Sequence, residues 1–175
     1  SADFRLNDPN VFEQVYGFRH KCPNKQEDAV YGLTELYRDK IVSSKLIANP
    51  GCYPTSVLLP LIPLLRESII DSENIVIDSK SGITGAGRSL KQSSLFAEVS
   101  EGIHPYGVGF HRHAPEIEQA LMDATNKDVR ITFTPHLVPM NRGILSTIYL
   151  FSKKDANAIR AYLREYFSKE TFVKI

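Results

Sequence analysis

The stretch that most constrains this chain is Ala48-Asn49-Pro50-Gly51-Cys52-Tyr53-Pro54-Thr55, together with the apolar run behind it. Pro50 and Gly51 interrupt whatever precedes them, and Pro54 stands where the first turn of a helix accepts proline at little cost. Val57, Leu58, Leu61, Ile62, Leu64 and Leu65 then have the crowded apolar spacing of a buried helix. Cys52 accordingly lies at a helix mouth, where unpaired backbone N–H groups and the helix dipole favour an anion. The thiolate is the reactive form of cysteine, and helix N-termini promote it, so Cys52 is a candidate nucleophile. The other reading is a small residue packed behind a turn, because free cysteine is among the most buried residue types.

A chain of 175 residues suits one domain with a core of its own. A net charge of +1 gives no reason to expect a nucleic-acid partner. No window approaches the ~18 consecutive apolar residues of a membrane span. Cys22 and Cys52 are too few for a disulfide framework, and there is no signal peptide, which suits a reducing, cytoplasmic setting. The chain starts at Ser1-Ala2-Asp3-Phe4-Arg5 without methionine and stops in Phe172-Val173-Lys174-Ile175, which reads as a strand. It looks cut at both ends.

Residues 1–45 scatter aromatics among charges, prolines and glycines, with short helices expected over 10–16 and 34–40, capped by Asp8 and Thr34. A short strand over 46–48 delivers Cys52, and residues 74–78 form a buried-type strand. Pro115, with acids at 116 and 118, predicts a helix start with His111 and His113 on loop ahead of it. Alternation predicts a strand over 129–133, a two-proline connection over 134–143, a strand over 144–151 and a helix over 155–167. The order β-α-β-loop-α-β-β-α-β reads as an α+β domain, a mixed sheet with helices on one face. Another domain or a second subunit must then cover the opposite face.

Three loops carry chemistry. Ser81-Gly82-Ile83-Thr84-Gly85-Ala86-Gly87-Arg88 is rich in glycine and hydroxyls: glycines let backbone N–H groups converge on an anion, and Arg88 offers a fork for phosphate or carboxylate. Its glycine spacing matches neither a dinucleotide fingerprint nor a P-loop, and a surface loop is the plain alternative. His111 and His113 have no carboxylate or thiol at ligand spacing, so a general acid/base role is favoured over metal binding. Arg142 is a further anion binder. A thiolate with a histidine does acyl chemistry and arginines collect phosphate or carboxylate, so an acyl phosphate with a distal carboxylate would use Cys52, the His111/His113 pair and arginines 5, 88 and 142 together. Whether the resulting thioester is hydrolysed, transferred or reduced does not follow from spacing. A cysteine hydrolase or acyltransferase and a non-catalytic dimerisation module both stay open.

Residues 49–55, 81–88, 111–117 (His-Arg-His-Ala-Pro-Glu-Ile) and 133–145 resemble the N-acetyl-gamma-glutamyl-phosphate reductases of arginine biosynthesis, as do Ser1 to Leu6 and Ala29 to Leu33. The resemblance covers nearly the whole chain, with the motifs in the family's order. It implies a catalytic, dimer-forming α+β domain like the C-terminal domain of glyceraldehyde-3-phosphate dehydrogenase, working as a homodimer or homotetramer on a small acyl phosphate. By it, Cys52 is the nucleophile, His113 rather than His111 the acid/base, and Arg5, Arg88 and Arg142 hold the phosphate and carboxylate of the substrate. Ser81, Gly82, Gly85 and Gly87 would touch the nicotinamide side of NADP. The family's N-terminal Rossmann NADP-binding domain has no counterpart in this sequence, so the chain alone is expected not to bind NADPH productively.

Overall fold

The computed structural model describes residues 1–87, 92 and 95–175. Its centre is helix α3, Cys52–Arg66, begun by Gly51 in extended conformation. Val57, Leu58, Leu61, Ile62 and Leu65 are fully buried in it. It holds Pro60 and Pro63 in its interior. Each removes a helix hydrogen bond, and packing on every side offsets that loss.

Ahead of it come α1 (Pro9–Tyr16), β1 (Val30–Tyr31), α2 (Thr34–Val42) and β2 (Ile47–Ala48). The expected Asp8 cap is present, its carboxylate accepting from the Asn10 amide at 2.7 Å. Thr34 is not a cap. It is the first residue of α2, and Leu33 stands at the cap position with no side-chain hydrogen bond. The strand expected before Cys52 forms, but it pairs only with β1, in a separate two-stranded parallel ribbon.

After α3 follow β3 (Ile75–Ser81), α4 (Phe96–Val99), β4 (His104–Pro105), α5 (His113–Thr125), β5 (Ile131–Leu137), β6 (Ile144–Tyr149) and α6 (Ala156–Tyr166). The main sheet has the order β4-β5-β3-β6, with β3 and β5 parallel and the other pairs antiparallel. α3 packs on β6, α5 on α3 and β5, and α6 on α3, so the expected mixed sheet with helices on one face is what forms.

Several boundaries differ from the sequence expectation. β3 runs on through Ser79, Lys80 and Ser81, because the ladder to β5 and β6 continues past the apolar run. β5 takes in Pro135, a residue that reads as loop. A residue's N and C=O point to the same side of a strand, and the Pro135 carbonyl accepts from Tyr106 on the β4 side. That is where the two-residue β4 ladder ends, at residues 104 and 105, so the missing N–H breaks no pairing. α5 begins at His113, two residues before Pro115, since proline fits anywhere in a first turn whose N–H groups have no helical partner. Residues 172–175 form no strand, and Phe172 is 91% exposed. Apolar character supplies strand propensity but not an edge to pair with.

The register sorts the sheet faces. Ile75, Ile77, Ser79 and Ser81 meet the helices, and on the other face Val76, Asp78 and Lys80 stand beside Tyr149, Thr147 and Leu145 of β6. That second face is open: Leu145 is 62% and Tyr149 58% exposed. At its middle, Lys80 Nζ lies 2.6 Å from Asp78 Oδ2, and His136 Nδ1 lies 3.1 Å from Asp78 Oδ1.

Candidate active site

Cys52 is exposed at the first position of α3, the helix mouth that the motif predicts. The first turn closes below it, the Thr55 amide and hydroxyl both donating to the Gly51 carbonyl at 2.9 Å. Beneath, Ser56 Oγ and Ser79 Oγ each lie 2.8 Å from Ser146 Oγ. Three small hydroxyl side chains thus join the start of α3 to β3 and β6 where bulkier residues would push the helix off the sheet.

His113 starts α5 and is only 5% exposed. Its ring lies on the glycine preceding Cys52: a Cβ added to Gly51 would fall 2.6 Å from His113 Nε2. That close approach is why residue 51 has no side chain. Both ring nitrogens of His113 are buried with no hydrogen-bond partner among the described residues. Burial, then His111 and Arg5, push its pKa down to about 3. His111, half-buried, is pushed down to about 4 by burial and by Arg112. Both imidazoles are therefore neutral at pH 7. His111 Nδ1 accepts the backbone N–H of His113 at 3.1 Å, so the neutral ring carries its proton on Nε2. Edge-on contacts with Tyr53, Tyr106 and Phe133 hold that ring. The Tyr53 and Tyr106 hydroxyls meet at 2.8 Å, and burial raises both phenols above their ordinary value. A cleft of about 440 Å³ opens beside His111, Ala114 and Phe133, and Cys52 is not in its lining.

Glu116 was visible in the sequence only as a helix-start acid. It is 1% exposed, and its Oε1 accepts from the Gly51 amide and the Tyr31 hydroxyl, each at 2.8 Å. Burial raises its carboxyl, while these two donors and Arg5 act in the opposite direction. No spacing rule links Glu116 to Gly51, which is 65 residues away.

The candidate anion binders separate. Arg5 is 13% exposed, and its fork is engaged by backbone: Nε donates to the Asn49 carbonyl at 2.6 Å and Nη2 to the Pro50 carbonyl at 3.2 Å. Arg142 is exposed and makes no ion pair among the described residues. Arg88 lies outside the described residues.

The glycine loop forms a short 3-10 turn, Ile83–Ala86, and its amides are already used. Those of Gly82, Ile83 and Thr84 donate to the carbonyls of Gly143, Met140 and Asn141, and those of Gly85 and Gly87 to carbonyls within the loop. Gly82 is packed so that a Cβ would lie 2.8 Å from the Arg142 amide nitrogen. Among the described residues these N–H groups tie the loop to residues 140–143 and to itself. Ser81 is 3% exposed, with its hydroxyl on the Gly82 carbonyl, and Gly87 has open space around it.

No described group of three or more His, Cys, Asp or Glu residues could hold a metal ion, and no described helix is long and apolar enough to cross a membrane.

Comparison with known proteins gives the family. The chain is 57% identical to N-acetyl-gamma-glutamyl-phosphate reductase of Rhodospirillum rubrum and 54% identical to that of Afipia carboxidovorans, over its whole length and 50% of each relative. It is 49% identical to the probable chloroplastic N-acetyl-gamma-glutamyl-phosphate reductase of Oryza sativa, covering 43% of that protein. The chain thus spans about half the length of the curated relatives it matches. Its fold is that of aspartate semialdehyde dehydrogenase II from Vibrio cholerae, with a TM-score of 0.63 and 16% identity, covering 79% of this chain and 49% of that one. The family model described as semialdehyde dehydrogenase, dimerisation domain, matches residues 52–175, from the exposed thiol to the C-terminus. The chain belongs to that family.

Proposed function

We propose that this chain is the catalytic and dimerisation half of an N-acetyl-gamma-glutamyl-phosphate reductase, and that Cys52 takes the acyl group of N-acetyl-L-glutamyl 5-phosphate. The observation that carries the reading is an exposed thiol at a helix start with a buried, neutral imidazole, without a hydrogen-bond partner among the described residues, against the preceding glycine. The relatives' names supply the substrate.

In this reading, a ring nitrogen of His113 takes the thiol proton, since a neutral imidazole has a free lone pair. The sulfur then bonds to the acyl carbon, the carbon–oxygen bond to phosphate breaks, and phosphate leaves with the bonding pair. His111, its proton on Nε2, is the second imidazole of the site and would serve as a donor. Arg142, exposed and without an ion pair among the described residues, is available to meet the phosphate or the distal carboxylate. In the whole protein NADPH would supply hydride to convert the acyl group to N-acetyl-L-glutamate 5-semialdehyde. The described loop at 81–87 has no free amides with which to hold its phosphates, so productive NADPH binding belongs to the part of the protein beyond this chain. The open sheet face is the seat for a second copy, in keeping with the family's description as a dimerisation domain.

Intact-mass analysis after mixing with N-acetylglutamyl phosphate tests the acylation. One added acyl group, absent in Cys52→Ser, is expected. Phosphate release with no adduct in either protein would overturn the thioester in favour of direct hydrolysis.

A further inference from the structure

We propose that Tyr106 is a positioning residue: its hydroxyl, joined to that of Tyr53, latches the connection carrying His111 onto the start of α3 and so fixes the His111 ring at the site. The proposal rests on the reading of Cys52 as nucleophile and of His111 as the second imidazole of its site.

Tyr53 follows Cys52 in the first turn of α3 and is buried. Tyr106 follows β4, its amide donating to the Pro135 carbonyl at 3.0 Å. The two hydroxyls meet at 2.8 Å. His111 packs against both rings, its centroid 5.5 Å from that of Tyr53 and 5.4 Å from that of Tyr106, each contact edge-on. Phe133 of β5 at 5.3 Å and His113 of α5 at 4.9 Å complete the cage. A tight turn brings Tyr106 and His111 together. Gly107 has a φ of +60°, and a Cβ there would lie 3.2 Å from His111 Cβ. The Phe110 amide closes the turn on the Gly107 carbonyl at 3.1 Å.

The connection is held from inside. β4 is only two residues long, and on the outer side Val108 and Phe110 are exposed. Among the described residues, the Tyr106 hydroxyl makes the one side-chain hydrogen bond from residues 106–111 to α3. A ring that packs for its area alone needs no hydroxyl, and burying a hydroxyl costs free energy unless it is paired. Burial and then Tyr53 hold the Tyr106 phenol above its ordinary value, and burial does the same for Tyr53. Tyr106 therefore keeps its proton at neutral pH, which suits a bonding role and not proton transfer.

The test uses the full-length protein that carries this chain, with N-acetylglutamyl phosphate and NADPH. Tyr106→Phe keeps the ring and removes the latch. Its kcat should fall on the order of tenfold, the equivalent of one neutral hydrogen bond, with KM unchanged. Two double-mutant cycles then show the route of the effect. Tyr53→Phe combined with Tyr106→Phe should be no slower than Tyr106→Phe alone, because either change breaks the pair. In a His111→Asn background, Tyr106→Phe should cost nothing further, because the group it positions is already gone. A hydroxyl that only stabilised the fold would lower the melting temperature and slow both backgrounds alike. Iodoacetamide alkylation at Cys52, with exposed Cys22 as reference, should keep its pH profile in Tyr106→Phe, since the thiol and His113 are untouched. Equal losses in both backgrounds, a raised KM with kcat retained, or a shifted Cys52 profile would each overturn the latch. So would full kcat in Tyr106→Phe or in His111→Asn. Where the His111 variant is too slow to follow, the Tyr53–Tyr106 cycle decides. Reductase activity surviving Cys52→Ser would instead defeat the underlying nucleophile reading, and the two cycles would still judge the latch.

Discussion

His113 shows what a buried neutral imidazole against the glycine before Cys52 does to stability. Its pKa in the folded chain lies near 3, below the ordinary 6.5, so the unfolded chain binds this proton more readily. The sign follows: the stability is fully present above pH 6.5 and is lost as pH falls from there towards 3. Glu116, whose carboxyl is raised by burial, works the other way and returns some stability as it protonates. Urea unfolding of the chain should lose about 2 kcal/mol between pH 6.5 and 5 through His113. His113→Gln should flatten that part of the curve, and an unchanged slope in the variant would refute the buried neutral ring. Cys52 and the two histidines could be picked out from the sequence because reactive residue types stood beside proline and glycine. Glu116 could not, because its meaning comes from an amide on another element.

Helix α3 is where local sequence and tertiary packing disagree and packing prevails. Proline inside a helix costs ~3 kcal/mol, and this helix carries Pro60 and Pro63. What sustains it is the apolar surface it buries against α5, α6 and the sheet. Leu61 is fully buried within that cluster. Leu61→Ala should lower unfolding free energy by about 2–5 kcal/mol, measured by urea titration at pH 7. A loss under 1 kcal/mol would mean the surroundings collapse readily into the space, which two fixed prolines in the same helix argue against. The chain's apolar spacing was enough to name this helix. It was not enough to end β3, which closes on polar residues, or β5, which runs through Pro135 and His136 to Leu137; ladder partners keep these residues in the sheet.

At the scale of the whole molecule the open sheet face dominates. Val76, Leu145 and Tyr149 share it with the Asp78–Lys80–His136 cluster, a mixture of apolar and complementary charged groups suited to self-association. Leu145→Lys places a cation beside Lys80, its register partner, and repeats it on the second copy. Sedimentation analysis of the full-length protein should show a shift towards smaller species, and an unaltered distribution would exclude this face as the interface. The sequence by itself determined the helix that fills the core, the thiol at its mouth, the α+β class and the placing of helices on one sheet face. These follow from residue periodicity and from the local chemistry of proline and glycine, which act over a few residues. Only the tertiary structure decided that Arg5 grips the loop before Cys52, that Glu116 holds the Gly51 amide, and that the glycine loop's amides are already paired. Such contacts join groups far apart in the chain, and no local periodicity encodes which buried donor will meet which acceptor once the chain has closed.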